Sequence, residues 1–329
     1  MTKNPKKNEK QKYYGSQDKE SLTYLEFGGI DLLEGKKSIW DFRIDQEAYD
    51  FLMLSRYAKE IIAFNKSIQP IQDDNYQGFV ELYKNDVHTQ DFLNSILTFK
   101  ALEFLNKNGK DPKFFELGFT LFGCIDAHEV CAQLFDNSLE VKSIKYRGNE
   151  ISEFLSLVAQ RLHSEYNTDF SLDDGEFEEN YDVFFAKGVT LLYAINKPEQ
   201  LFNYLDRSNL SIFDYSFSLG EEHTMVLGTG KKVTYHSLQE FINQADGFSQ
   251  ELYIRKSDHI LDNDNKLRAH FLWGEENVLK EYLDELDTQL LDLKNKLDKQ
   301  SYLAITNNYL ENPSEDYVSF SSFAQQLLK

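Results

Sequence analysis

The chain has 329 residues, 41% of them apolar, with 26 Phe and 19 Tyr, enough to build a substantial core and to exclude disorder as a general description. Its formal net charge of -20 repels phosphate backbones and anionic lipid heads, so sequence-independent binding to nucleic acid or a membrane surface is excluded unless a local basic patch supplies it. The one dense basic run is Lys3, Lys6, Lys7, Lys10 and Lys12; with almost no apolar residue beside it, residues 1–20 read as a solvated, disordered tail rather than a basic recognition arm.

Cys124 and Cys131 stand seven positions apart, two turns along one helical face, too far for a disulfide, and read as buried thiols. No run approaches the ~18 apolar residues of a membrane span, and the start lacks the apolar stretch of a signal peptide. A cytoplasmic setting is expected, with no membrane or nucleic-acid partner.

Gln46 to Phe64 places Tyr49, Leu52, Met53, Leu54, Tyr57, Ile61 and Ile62 at helical spacing, and Tyr76 to Asn85 and Asp91 to Asn106 continue the habit. Residues 21–110 therefore read as a helical subdomain, closed by Asn108-Gly109-Lys110-Asp111-Pro112. Short apolar runs then alternate with helical stretches. Strands are predicted at Phe114 to Leu117, Ser143 to Tyr146, Tyr181 to Ala186 and Leu210 to Leu219; helices at Cys124 to Phe135, Glu153 to Tyr166 and Pro198 to Arg207. Asn167 to Phe170 is either a further strand or part of a solvated acidic loop. The alternation predicts an α/β fold over residues 111–260, with a mostly parallel, Rossmann-like sheet and helices on both faces.

Beyond Gly220, Met225-Val-Leu and Val233-Thr-Tyr flank Gly228 and Gly230 as a hairpin would. Ser237 to Gln244 reads as a short helix and Glu251 to Arg255 as a strand, together suggesting an antiparallel edge. Residues 261–329 read as a helical extension. Within it Leu279, Leu283, Leu286, Leu290, Leu293 and Leu297 alternate spacings of four and three, the apolar face of a long helix that either packs on its own domain or forms a homodimer or helical-hairpin seam.

In an open parallel sheet the ligand lies at the carboxyl ends of the strands, where the strand order reverses. The loop after the first strand is Phe115-Glu116-Leu117-Gly118-Phe119-Thr120-Leu121-Phe122-Gly123. Here the sequence resembles the Rossmann-like (class I) S-adenosylmethionine-dependent methyltransferases, whose first strand ends in an acidic residue, an apolar residue and Gly-x-Gly-x-Gly. Glu116-Leu117-Gly118 matches, while Thr120 and Phe122 stand where the later glycines fall. Glu150-Ile151-Ser152 resembles the end of that family's second strand, where a carboxylate holds the ribose hydroxyls. Asp169 resembles the residue that reads the adenine amino group, and Asp182 precedes the apolar run of the fourth strand. The resemblance implies S-adenosylmethionine as cofactor, held by Glu116, Gly118, Thr120, Glu150, Ser152, Asp169 and Asp182.

Methyl transfer from a sulfonium is a displacement governed by positioning, to which an oxygen acceptor adds the need for a base. His223, beside Glu221 and Glu222, and Tyr193 are the expected catalytic residues, with Lys187 also near a strand end. The histidines show no His-x-x-x-His spacing and the cysteines no histidine partner, so no metal is expected. Asp262-Asn263-Asp264 reads as a turn, and no lysine follows the Gly118 to Gly123 loop as phosphate binding would require. The expected activity is methyl transfer to a small-molecule acceptor; the alternative is a methyltransferase-like protein without catalysis that serves as a binding or assembly subunit.

Overall fold

A computed structural model of the protein describes residues 89–107, 111–118, 123–135, 139–149, 163–171, 179–186, 198–226, 232–261, 266–297, 302 and 313–327. The expected tail, the helices before residue 89 and most of the helix from Glu153 lie outside the described residues.

The described chain is a three-layer α/β/α unit. Its sheet has eight strands in the order β10-β8-β9-β5-β4-β1-β2-β3. The parallel part comprises β1 (Lys113–Leu117), β2 (Lys145–Asn149), β3 (Asn167–Ser171), β4 (Tyr181–Ala186) and β5 (Ser208–Ser218). This is the Rossmann-like order expected from the alternation of strands and helices. β4, Tyr-Asp-Val-Phe-Phe-Ala, is nearly continuous in apolar residues because both its faces are covered. β3 is present as a strand, so of the two readings of Asn167 to Phe170 the strand is the one observed.

Beyond β5 the direction changes. β8 (Glu251–Leu261) and β9 (Lys266–Gly274) pair antiparallel, β9 is antiparallel to β5, and β10 (Tyr317–Ser319) is antiparallel to β8. β9 and β10 fall in the segment read as a helical extension, residues 261–329. The expected boundary at 260 falls within β8, whose hydrogen-bonded neighbour β9 lies beyond it. The antiparallel edge is also built otherwise than expected. β6 (His223–Val226) and β7 (Lys232–Tyr235) form the predicted hairpin, but as a separate two-stranded sheet.

One face of the sheet is covered by α1 (Thr89–Leu105), α2 (Gly123–Leu134) and α5 (Glu276–Lys296). Phe99 and Leu102 of α1, within the segment expected to form a helical subdomain, share a core with Val183 of β4 and Leu272 of β9. The six leucines from Leu279 to Leu297 are all buried in that core. A homodimer built on this seam would have to unpack the chain's own sheet. Tyr282 completes the join by donating its hydroxyl to the Leu97 carbonyl at 2.8 Å. His128 of α2 bridges Thr98 Oγ1 at 2.9 Å and the Tyr146 hydroxyl at 2.8 Å, linking α1, α2 and β2. Both cysteines are free and buried, and burial pushes the Cys131 thiol up.

The other face carries α3 (Pro198–Leu205), α4 (Leu238–Ala245) and α7 (Phe320–Leu327). Its centre is aromatic: the Phe241 ring lies within 6.0 Å of Phe202, Tyr215, Phe217, Phe271 and Phe320. α4 starts where Ser237 Oγ accepts the Glu240 amide, a side-chain N-cap. α6 (Pro313–Asp316) leads into β10 and carries Asp316, whose carboxylate accepts from Arg255 Nε at 3.1 Å on β8. No described helix is long and apolar enough to cross a membrane.

Candidate functional site

The strand order reverses at β1, which pairs with β2 on one side and β4 on the other. Leu117 is register partner to both Asn149 and Ala186, so three strands end level there and open a crevice at their carboxyl ends. Gly118 follows at φ 74° and donates its amide to the Asn149 carbonyl at 2.8 Å. The left-handed turn takes the chain off the sheet at the crevice, towards α2. Only glycine holds this conformation without steric cost. Gly118→Ala is expected to lower folding stability by about 1–2 kcal/mol, measured by urea denaturation.

The expected site residues divide between the two ends of the sheet. Glu116 and Gly118 lie at the crevice, Glu116 on the face that carries Phe114 and α2. Asp169 is exposed on β3, two residues short of the strand's end, and forms an ion pair at 3.5 Å with Arg147, its register partner on β2. Asp182 is at the opposite, amino end. Its carboxylate accepts from the Lys113 amide at 2.8 Å and from Asn209 Nδ2 at 3.1 Å, tying together the starts of β1, β4 and β5. Thr120, Glu150, Ser152 and Tyr193 lie outside the described residues, as does Lys187. Glu150 is the residue next after Asn149, the last of β2.

His223 opens β6 and is exposed. The carboxylate of Glu222, expected to support it, lies instead 3.4 Å from Nδ1 of His236. Sequence reading passed over His236, which is buried just after β7 and is also 3.2 Å from Glu240 Oε2. The signal was available: His236 and Glu240 are four apart and share a face at the start of α4.

A second set of residues was also missed. Ala186, the last residue of β4, pairs with Phe213, so Asp214 to Ser218 overhang the edge of the parallel strands. One face of this overhang presents Tyr215 and Phe217 to the aromatic core. The other presents Asp214, Ser216 and Ser218, register partners of His270, Arg268 and Lys266 on β9. On that face Leu210 and Ile212 belong to the apolar core, and polar groups replace them where β4 ends. Asp214 is 2% exposed, and its Oδ2 accepts from Arg268 through Nε at 3.1 Å and through Nη2. A buried carboxylate, a guanidinium, an imidazole and two hydroxyls thus stand together on one face of the overhang, beyond the end of β4. The alternation in Phe213 to Ser218 and in Leu267 to Phe271 carried this information.

No described protein family and no curated protein matches the sequence. Among solved structures the chain is similar to the N-terminal domain of EvdMO1, crystallised in the presence of SAH and D-fucose. The TM-score is 0.40 at 12% identity, covering 57% of this chain and 84% of that one. It is similar to magnesium protoporphyrin IX methyltransferase from Synechocystis with bound SAM, at TM-score 0.35 and 12% identity, over 57% of this chain and 80% of that one. It is also similar to DesVI of Streptomyces venezuelae, at TM-score 0.36 and 8% identity, over 56% and 92%.

Proposed function

We propose that this chain transfers a methyl group from S-adenosylmethionine to a polar small-molecule acceptor. The observation that carries the reading is the turn at Gly118. A glycine at φ 74° follows Glu116-Leu117 at the switch point of the sheet, with its amide tied to the end of the strand that leads into Glu150. The sheet supports it too, since its parallel strands run in the order β3-β2-β1-β4-β5, the Rossmann-like arrangement that the resemblance implies.

The residues at the crevice fit the cofactor. A glycine without a side chain lets a ligand approach the backbone after β1, and a carboxylate directly after β2 can accept both hydroxyls of a vicinal diol. The bound sulfonium would supply the methyl group and a neutral thioether as leaving group. The chain's part is to hold the acceptor in line, the kind of positioning that accounts for much of such a rate enhancement. On the overhang, Arg268, oriented by Asp214, is proposed to fix a polar acceptor. His270, half-buried across from Asp214, is assigned to receive the acceptor's proton; His223 is the second imidazole to examine.

Calorimetric titration of the purified chain with S-adenosylmethionine tests the reading. Saturable binding is expected, lost in Glu150→Ala and kept in His270→Gln and His223→Gln. Absence of heat with every protein would sink it and leave the non-catalytic reading, which the replacement of two loop glycines by Thr120 and Phe122 favours.

A further inference from the structure

The geometry points to a divalent-cation site of the zinc class, built from Glu222, His236 and Glu240 at the end of the β5 overhang. It is independent of the methyl-transfer reading. One carboxylate oxygen from each glutamate and one ring nitrogen of His236 all lie within 4.8 Å of one another. Nδ1 is 3.2 Å from Glu240 Oε2 and 3.4 Å from Glu222 Oε2.

Three elements converge to make this cluster. Glu222 precedes β6, His236 follows β7, and Glu240 lies in the first turn of α4. The hairpin is pinned to the sheet where the Ser218 amide donates to the His236 carbonyl at 2.9 Å and Ser218 bridges Ser237. His236 is 5% exposed, so its ring is held by packing and its Nδ1 aimed between two carboxylates.

The separations fit a metal as well as a hydrogen bond, which Nδ1 makes to Glu240 Oε2 at 3.2 Å. A protonated Nδ1 carries one hydrogen, directed at one oxygen, and charge-assisted bonds of that kind close to about 2.7–2.9 Å. Ligand atoms at about 2.0–2.1 Å from a tetrahedral ion stand about 3.4 Å from each other. A cation among the three atoms would satisfy the imidazole lone pair and both carboxylates together. One imidazole with two carboxylates suits zinc or manganese rather than calcium or magnesium, which take oxygen ligands. Three protein ligands leave a fourth position open, as in sites where a metal meets water or a substrate oxygen. Glu222 and Glu240, 55% and 40% exposed, leave it reachable from solvent.

The test uses the full chain, stripped with a chelator and titrated separately with Zn2+, Mn2+ and Mg2+ by calorimetry, with metal content read by mass spectrometry. One tight zinc per chain is expected, with weaker manganese and no saturable magnesium binding. Glu222→Gln, a change at an exposed side chain that leaves the melting temperature of the stripped protein unchanged, is expected to weaken zinc at least ~10-fold, and His236→Asn more. Cobalt in place of zinc should give the visible absorption of a tetrahedral site, absent in Glu222→Gln. No saturable zinc binding, or zinc bound equally by the wild type and Glu222→Gln, would overturn the proposal and leave His236 in ion pairs only.

Discussion

Arg268→Leu is expected to lower folding stability by about 3–5 kcal/mol, and Asp214→Leu by distinctly less. The asymmetry follows from exposure. Asp214 is 2% exposed and the Arg268 side chain 41%, so loss of the guanidinium takes the Arg268 charge away from a carboxylate held out of water. Loss of the carboxylate leaves a guanidinium that water already reaches. The double variant is expected to be more stable than Arg268→Leu alone, because the buried charge has gone with its partner. Urea denaturation of the four proteins decides. Equal losses in the two single variants would remove charge burial as the cause. The same pair stands on the proposed acceptor wall, so the conservative Arg268→Lys separates roles: it keeps the charge, and its effect on acceptor binding reports the loss of the planar fork.

Acid is expected to destabilise the protein through His128. Its ring is fully buried among Phe99, Phe114 and Tyr146, and burial depresses its pKa from the ordinary 6.5 to about 3. The folded state thus keeps the ring neutral while the unfolded chain protonates it below pH 6.5. The contribution is fully present above 6.5 and is lost as pH falls towards 3, at about 1.4 kcal/mol per pH unit. His128→Gln removes the titration and keeps hydrogen-bonding groups for Thr98 and Tyr146. Denaturation at pH 7, 6, 5 and 4 should give a wild-type slope steeper than the variant's by close to one proton. Parallel slopes would mean that the wild-type ring takes up its proton in the folded state.

Both predictions rest on pairs that are distant in sequence, and this explains much of what reading the chain linearly missed. β2 begins at Lys145 rather than Ser143, because Val141–Ser143 forms a 3-10 turn in which the Ser143 and Ile144 amides return to the Glu140 and Val141 carbonyls. The apolar Ile144 drew the prediction towards the turn. The strand itself, Lys-Tyr-Arg-Gly-Asn, is mostly polar and is held by parallel neighbours on both sides. β9 lies beyond Asp262-Asn263-Asp264, which reads as a turn, and Leu261 and Leu267 on either side of it are register partners, a pairing that the turn alone does not announce. Gly274 shows the same dependence on context: a Cβ there would stand 2.9 Å from the Asn209 carbonyl oxygen, so the close approach of β9 to the start of β5 requires a residue without one.

What the sequence determined by itself is local and periodic. The leucine spacing from Leu279 to Leu297 specified a one-sided helix, the run Tyr181 to Ala186 a doubly buried strand, and Glu116-Leu117-Gly118 a turn off the first strand, because each depends on a few neighbouring residues and on repeats of 3.6 or 2. The tertiary structure alone decided which partner each surface met. It buried the leucine seam in the chain's own core, paired Asp182 with the Lys113 amide and Asn209, turned Glu222 towards His236 rather than His223, and set Asp214 against Arg268 across two strands. Strand order and register are choices among distant segments, settled by which arrangement buries the apolar faces and pairs the charges together, and no local pattern encodes them.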